Sequence, residues 1–429
     1  MINKHPISSR LAILIIYVVL VLIRVPRIIW PGRFWAEEGA VYFREAYLHA
    51  PWDVISSADL GYYSLLNKVA SIAAAHAVPL QYAPVITMLF ALSVQIVPAW
   101  LLLYSDVPSM TSSFHRACAV FLVLLVQPNQ EIWLNTINSQ FFLCISTAII
   151  LISAPANRYM HWLRLGMLAV AGLTGVVSCL LLPFFWIEYA WTRNRHKLSE
   201  VAVLTCVCAI QGAVVMAGTE RNLHWYLNLL PSVLLTKQLL LPVFGAGIAD
   251  SFSTYVKLHR LFNSVLFSIA VLLPYIALGF GLVRWGNRHS WLLLASSVSV
   301  AAISFLGSIE AANPDLVLVH LSAVGADRYY YAPNVLLALA LLLPLRQYEY
   351  QRQKYSRGFR AACMVLAGSM FIVGAFDFFA RRQIFDGPSW PAEVKIWRDN
   401  KSDLLRIWPR PWSMELLHDV GQRIEDGSK

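Results

Sequence analysis

The run LAILIIYVVLVLI at residues 11–23 decides the fold class. It contains no charge, glycine or proline, and it is bracketed by Lys4 and Arg10 on one side and by Arg24 and Arg27 on the other. A charged start followed by an apolar run resembles a secretory signal peptide. No small-residue cleavage site follows, so the sequence predicts an uncleaved membrane anchor over 10–29. Runs of the same kind recur at 80–104, 136–154, 198–217, 261–283, 290–308 and 361–380. Shorter or interrupted ones lie at 114–127, 163–177, 179–192 and 330–345. A crossing needs ~20 apolar residues, fewer where neighbours shield the helix.

The composition of all 429 residues agrees: 58% are hydrophobic, 14% are charged, and the mean hydropathy is +0.57. Soluble domains average about 45–50% apolar and about 25% charged. Here 24 acidic and 34 basic side chains are too few to coat a globule of this length. A soluble enzyme, a disordered chain, a disulfide scaffold and a coiled coil are excluded. So is an outer-membrane barrel, whose ~10-residue segments alternate rather than run apolar. The expected fold is all-α: a polytopic helical membrane protein with eleven transmembrane helices.

The net charge of +10 does not signal a nucleic-acid partner, because the basic residues lie between apolar blocks and form no recognition motif. They read as topology determinants and contacts to membrane lipids. With a cytoplasmic N-terminus, Arg116, Arg158, Arg164, the RNRHK cluster at 193–197, Arg284, Arg288 and the run 346–360 all fall on the inner side. An odd number of crossings then puts the C-terminus outside. The body spans 1–380 with large outer segments at 30–62 and 218–260, and an outer tail follows at 381–429. Most acidic residues fall outside. The first outer segment breaks the rule with Arg24, Arg27, Arg33 and Arg44, which suggests a need to hold anions. Between the basic flanks of 163–192 the chain must enter and return, with GLTG at 172–175 and Pro183 as the break. Such short helices leave a cavity above them. Residues 62–77 read as a re-entrant or membrane-surface helix. The six cysteines sit in apolar segments as small hydrophobes.

Three outer stretches could carry chemistry. In the 30–62 segment, Glu37 and Glu38 follow Phe34 and Trp35 and open a helix over 38–50. Phe43, Ala46, Tyr47 and Ala50 make a stripe suited to lie on the membrane, with Glu38, Tyr42, Glu45 and His49 on another face. The acids equally suit a helix N-terminus. The stretch QPNQEIWLNTINSQFF at 127–142 crowds Glu131, Trp133, Asn135, Asn138 and Gln140 at the outer end of a span. Amides beside aromatics suit a sugar, which offers hydroxyls at its edge and C–H groups on its face; helix capping is the plainer alternative. In 308–334, Glu310, Asp315, His320, Asp327 and Arg328 precede Tyr329, Tyr330 and Tyr331. Arg328 is placed to bind a phosphate, and the tyrosines could support it or form an interfacial belt. No metal-site, nucleotide-binding or serine-hydrolase motif occurs, so neither a metal nor a cofactor is expected.

An anchor helix, an outer segment with an early carboxylate and amphipathic helix, a short polar helix near Lys68 and many further spans together resemble the GT-C superfamily. These are polytopic glycosyltransferases that use polyprenyl-phosphate sugars. More narrowly, FWAEEG, NTINSQFF, GLTGVVSCLLLP and DRYYY resemble bacterial inner-membrane proteins that modify O-antigen or other surface glycans. The tail, with GPSW and IWPRPW, is not the large soluble domain of oligosaccharyltransferases.

The resemblance implies sugar transfer from a polyprenyl-phosphate donor to a glycan or glycolipid acceptor on the periplasmic face. It implies Glu37 or Glu38 as general base and Arg328, Lys68 and Arg221 or Arg260 as phosphate ligands. Trp35, Tyr42, Glu131, Asn135, Asn138, Gln140, Asp327, Tyr329 and Tyr330 would surround sugar and acceptor. Two other classes stay open. A lipid-linked sugar flippase or other transporter would need charges near the bilayer midplane, whereas Glu188 and Asp377 fall near helix ends. A non-catalytic scaffold would explain the spans but not the one-sided polar segments.

Overall fold

The computed structural model describes residues 7–24, 26–29, 32–107, 110, 112–218, 225–307, 317–323, 325–346, 354–380, 387–399 and 403–416. A helix lies over each of the eleven apolar runs. In chain order the principal helices are α1 (Ile7–Arg24), α2 (Leu65–His76), α3 (Ala83–Tyr104), α4 (Ser113–Leu125) and α5 (Ser139–Ile152). They continue with α6 (Arg158–Leu173), α7 (Leu182–Thr192), α8 (Arg195–Ala217), α9 (Ala246–Leu258) and α10 (Val265–Trp285). The series ends with α11 (Arg288–Gly307), α12 (Arg328–Leu342), α13 (Lys354–Phe379) and α14 (Trp390–Arg398). A short antiparallel hairpin, Leu404–Arg406 with Ser413–Glu415, completes the described chain. Among the described residues, five helices are long and apolar enough to cross a membrane: 80–104, α8, α10, α11 and the 357–379 part of α13. The chain is an all-α, multi-pass membrane protein.

Helices α5 and α12 form the centre of the bundle. Residues 141–152 and 330–342 are buried all round, as helices that are apolar on every face must be. Being surrounded by protein, they can be short. Their first residues share one end of the bundle, and this end carries the cavity described below.

Basic side chains finish the opposite end. Arg116 donates to the carbonyls of Leu102 and Ser105 at the close of α3, at 2.5 and 2.9 Å. Arg164 and Lys197 donate to the Ile150 and Ser153 carbonyls at the close of α5 and both pair with the buried Glu200, at 2.8 and 2.9 Å. Helix C-termini leave carbonyls unpaired and carry partial negative charge, so buried cations satisfy both demands.

The 30–62 segment folds differently from its expected place on the membrane. A π-helical turn, Glu38–Phe43, runs into Arg44–Leu48. Its stripe of Phe43, Ala46 and Tyr47 is buried not in lipid but against Trp390, Val394 and Trp397 of the tail and Leu405 of the hairpin, while Ala50 is exposed. The Phe34 ring meets Phe43 at 4.3 Å and Trp390 at 5.0 Å. Sequence periodicity identifies an apolar face but not its partner. Here the partner is some 350 residues away in the chain.

The arginines of this segment are likewise explained by protein contacts. Arg24 donates to the Ala380 carbonyl and to Gln130 Oε1. Arg44 pairs with Glu45 at 2.9 Å. Arg33 is 3% exposed, donates to the Trp133 carbonyl at 3.1 Å and lies over the Trp35 and Trp408 rings. The Arg27 side chain lies outside the described residues.

Candidate active site: a polar cavity between the first connecting segment and the bundle centre

A cavity of about 1010 Å³ opens at the end of the bundle where α5 and α12 begin. The 30–62 segment contributes Glu37, Ala58, Leu60, Gly61 and Tyr62, and α5 with its preceding turn contributes Ile137 and Gln140. Ile303 and Ser304 come from the end of α11, and Arg328 and Tyr329 from the start of α12. Its apolar floor is made by Val176, Val177 and Leu180, where the chain breaks between α6 and α7. Gly175 stands at that break with φ +119, and a side chain there would clash with Gln140 Oε1. Glycine therefore permits both the turn and the position of Gln140.

One ion pair crosses the cavity. Glu37 Oε1 accepts from Arg328 Nη2 at 3.1 Å and Glu37 Oε2 from Nη1 at 3.4 Å, a two-pronged arrangement. Burial raises the Glu37 pKa, but the Arg328 charge and hydrogen bonds outweigh it, so the carboxyl titrates below its ordinary value. It is an anion at neutral pH. The Arg328 guanidinium also lies 5.3 Å from the Tyr329 ring centroid.

The neighbouring carboxylate does something else. Glu38 is fully buried; Oε1 accepts from the Thr136 backbone N–H at 2.7 Å and its hydroxyl at 2.8 Å, and Oε2 from the Trp35 N–H at 3.0 Å. Burial raises its pKa above the ordinary value despite these bonds and the Arg33 charge. Glu38 clamps the 30–62 segment to the 127–142 turn and does not line the cavity.

The remaining candidates divide by position. Gln140 and Tyr329 line the cavity with Glu37 and Arg328. Glu131 stands behind Arg328, accepting its backbone N–H at 3.2 Å; burial raises the Glu131 pKa. Asn135 and Asn138 are buried and donate to the Glu131 carbonyl at 2.8 and 2.9 Å, which shapes the turn. Asp327 accepts from the buried Lys237 at 3.1 Å, and Tyr330 is buried beneath that Lys, 5.6 Å from it. Trp35 and Tyr42 pack in a small apolar cluster with Ile137 and Trp408. Lys68 is fully buried and spends its three protons on the Val54 carbonyl, Ser57 Oγ and Asp59. It is a structural cation rather than a cavity residue, because the Asp59 carboxylate already neutralises it. Arg260 is exposed on a turn after α9, outside the cavity lining. Arg221, Glu310 and Asp315 lie outside the described residues.

Sequence reasoning missed Tyr62 and Ser304 in the cavity wall. Tyr62 follows Leu60 and Gly61, both with positive φ. Ala36, Leu60, Leu134 and Ala326 are non-glycine residues with φ between 43 and 55, and each adjoins a segment that builds or backs the site. Such conformations cost ~1–3 kcal/mol each and cluster where surrounding structure must over-determine a geometry. No local sequence signal marks them.

The first turns of α5 and α12 meet the cavity beside Arg328, and N–H groups there are taken up locally, that of Arg328 by Glu131, of Tyr329 by the Ala326 carbonyl, of Ser139 by the Thr136 carbonyl and of Phe141 by the Asn138 carbonyl. Among the described residues, the lining carries one carboxylate paired with one guanidinium, an amide, a hydroxyl and two tyrosines, over an apolar floor. Comparison of the chain with protein-family models, with characterised proteins and with solved structures gives no match.

Proposed function

We propose that this chain is a membrane glycosyltransferase of the GT-C type, moving a sugar from a polyprenyl-phosphate donor to a glycan or glycolipid acceptor at the cavity end. In this reading the helices make eleven crossings of a bacterial inner membrane, the N-terminus is cytoplasmic, and the cavity and tail face the periplasm. The observation that carries the reading is the Glu37–Arg328 pair across a cavity whose floor is apolar and whose walls offer sugar-binding groups.

Glu37 takes the proton of the acceptor hydroxyl as its oxygen attacks the anomeric carbon. The bond from that carbon to the phosphate oxygen breaks, and polyprenyl phosphate leaves with the electron pair. Arg328 stabilises the charge that gathers on the leaving phosphate. One carboxylate suffices for an inverting displacement. Gln140, Ser304, Tyr62 and Tyr329 are placed to contact sugar hydroxyls and ring faces, and Val176, Val177 and Leu180 suit the first isoprenoid carbons.

The test is transfer of labelled sugar from polyprenyl phosphate in membranes carrying the chain. Glu37→Gln should lower the rate by ~10²–10⁴-fold, the usual worth of general base catalysis. Glu38→Gln should act through stability instead. Full activity in Glu37→Gln removes the base assignment.

A transporter is favoured by one observation, the broken helix at Gly175 beneath the cavity. Uptake into proteoliposomes with no covalent product would support it over transfer.

A further inference from the structure

We propose that Glu37 competes with the donor's phosphate for Arg328, so that phosphate binding opens the Glu37–Arg328 pair and donor must bind before the base is free. The inference rests on the glycosyltransferase reading for its ligand, a phosphate group on an apolar tail.

Arg328 has little else to give. Its side chain is 23% exposed and that of Glu37 16%, and both guanidinium Nη atoms are aimed at the two Glu37 oxygens. A phosphate asks for the same planar fork. It cannot take the two Nη N–H groups that face the cavity while the Glu37 oxygens hold them. The backbone of Arg328 is fixed independently by the Glu131 carboxylate on its N–H, and its neighbour Asp327 is fixed by Lys237. The exchange therefore requires only side-chain movement.

Freed of Arg328, Glu37 keeps its burial in the cavity wall that it shares with Tyr62 and Tyr329. The removed counter-charge was the chief influence holding its pKa down. Its proton affinity must rise when donor binds, which is when a base is needed. An empty site is thus self-neutralised and a donor-loaded one is basic.

Binding to the full-length protein in nanodiscs tests this, with farnesyl monophosphate, inorganic phosphate and farnesol as probes. Glu37→Gln should bind farnesyl monophosphate about tenfold more tightly than wild type, equal to about 1.4 kcal/mol. Arg328→Gln should lose binding, inorganic phosphate should bind more weakly than farnesyl monophosphate for want of the apolar floor, and farnesol should bind weakly to every variant. Equal or weaker binding by Glu37→Gln overturns the competition. A measurement on the unaltered protein guards against a misfolded variant: carbodiimide labelling of Glu37 should increase when farnesyl monophosphate is added, and unchanged or reduced labelling counts against the proposal. Tighter binding by Glu37→Gln without sugar transfer by wild type would keep this inference and remove the transferase reading. Transfer with no gain in affinity would do the reverse.

Discussion

Glu37 and Glu38 are neighbours in the chain, yet one faces a cavity and an arginine while the other is sealed among backbone N–H groups. Their responses to pH should differ in sign. Glu37 has a depressed pKa, so the stability of its ion pair is present above the unfolded carboxyl value and is lost as pH falls through the folded one. Glu38 has a raised pKa, so its contribution is complete below the unfolded value and is lost as pH rises through the folded one. Melting curves across the acid range should therefore show Glu37→Gln blunting the acid-side loss and Glu38→Gln blunting the loss on the rising side. Truncation of Glu38 to Ala strands three buried donors and should cost roughly 2–4 kcal/mol. A residue-scale reading of the sequence reached both acids but could not separate them, because the deciding partner of Glu38 is Thr136, far off in the chain.

At the scale of elements, the site depends on how α12 begins. Lys237 lies in the π-helical turn Leu235–Leu240, and its ammonium donates to Gly325, Ala323 and Asp327. The Lys237 carbonyl in turn accepts from Asn334 of α12 at 2.7 Å. Lys237→Met would remove the buried cation beside the Asp327 carboxylate and should destabilise by about 3–5 kcal/mol, whereas adding Asp327→Asn should recover much of that. Thermal melting of single and double variants measures the difference. Gly175→Ala should also destabilise, by ~1–3 kcal/mol for the strained φ, and should disturb transfer by displacing Gln140. Hydropathy revealed where α12 and the GLTG break lie, since both are local features of the sequence. It could not show that 230–244 would supply a buried cation to the start of α12, because ion pairing between distant segments has no periodic signature.

At the scale of the molecule, the 381–429 tail is the part least legible beforehand. Its described portion docks on the 30–62 segment: the Trp408 N–H donates to the Phe34 carbonyl, the Ala36 N–H to the Trp408 carbonyl, and the Trp390 indole to the Leu80 carbonyl. No described tail residue lines the cavity. The tail braces the loop that carries Glu37, and removing it should lower the melting temperature and activity together. Trp408→Ala should do so in smaller measure, because it removes one side of the packing that holds the Glu37 loop. Composition alone identified a membrane protein, and the few charges gained meaning only from their places. Buried cations close one end of the bundle, and the opposite end holds one arginine across a cavity from one glutamate.

We propose that this cavity adds a sugar to a glycan. The most direct measurement is a mass-spectrometric glycan profile of cells with the chain, without it, and complemented with Glu37→Gln. One sugar addition should disappear without the chain, return with the wild-type chain and stay missing with Glu37→Gln. Identical glycans in all three would contradict it.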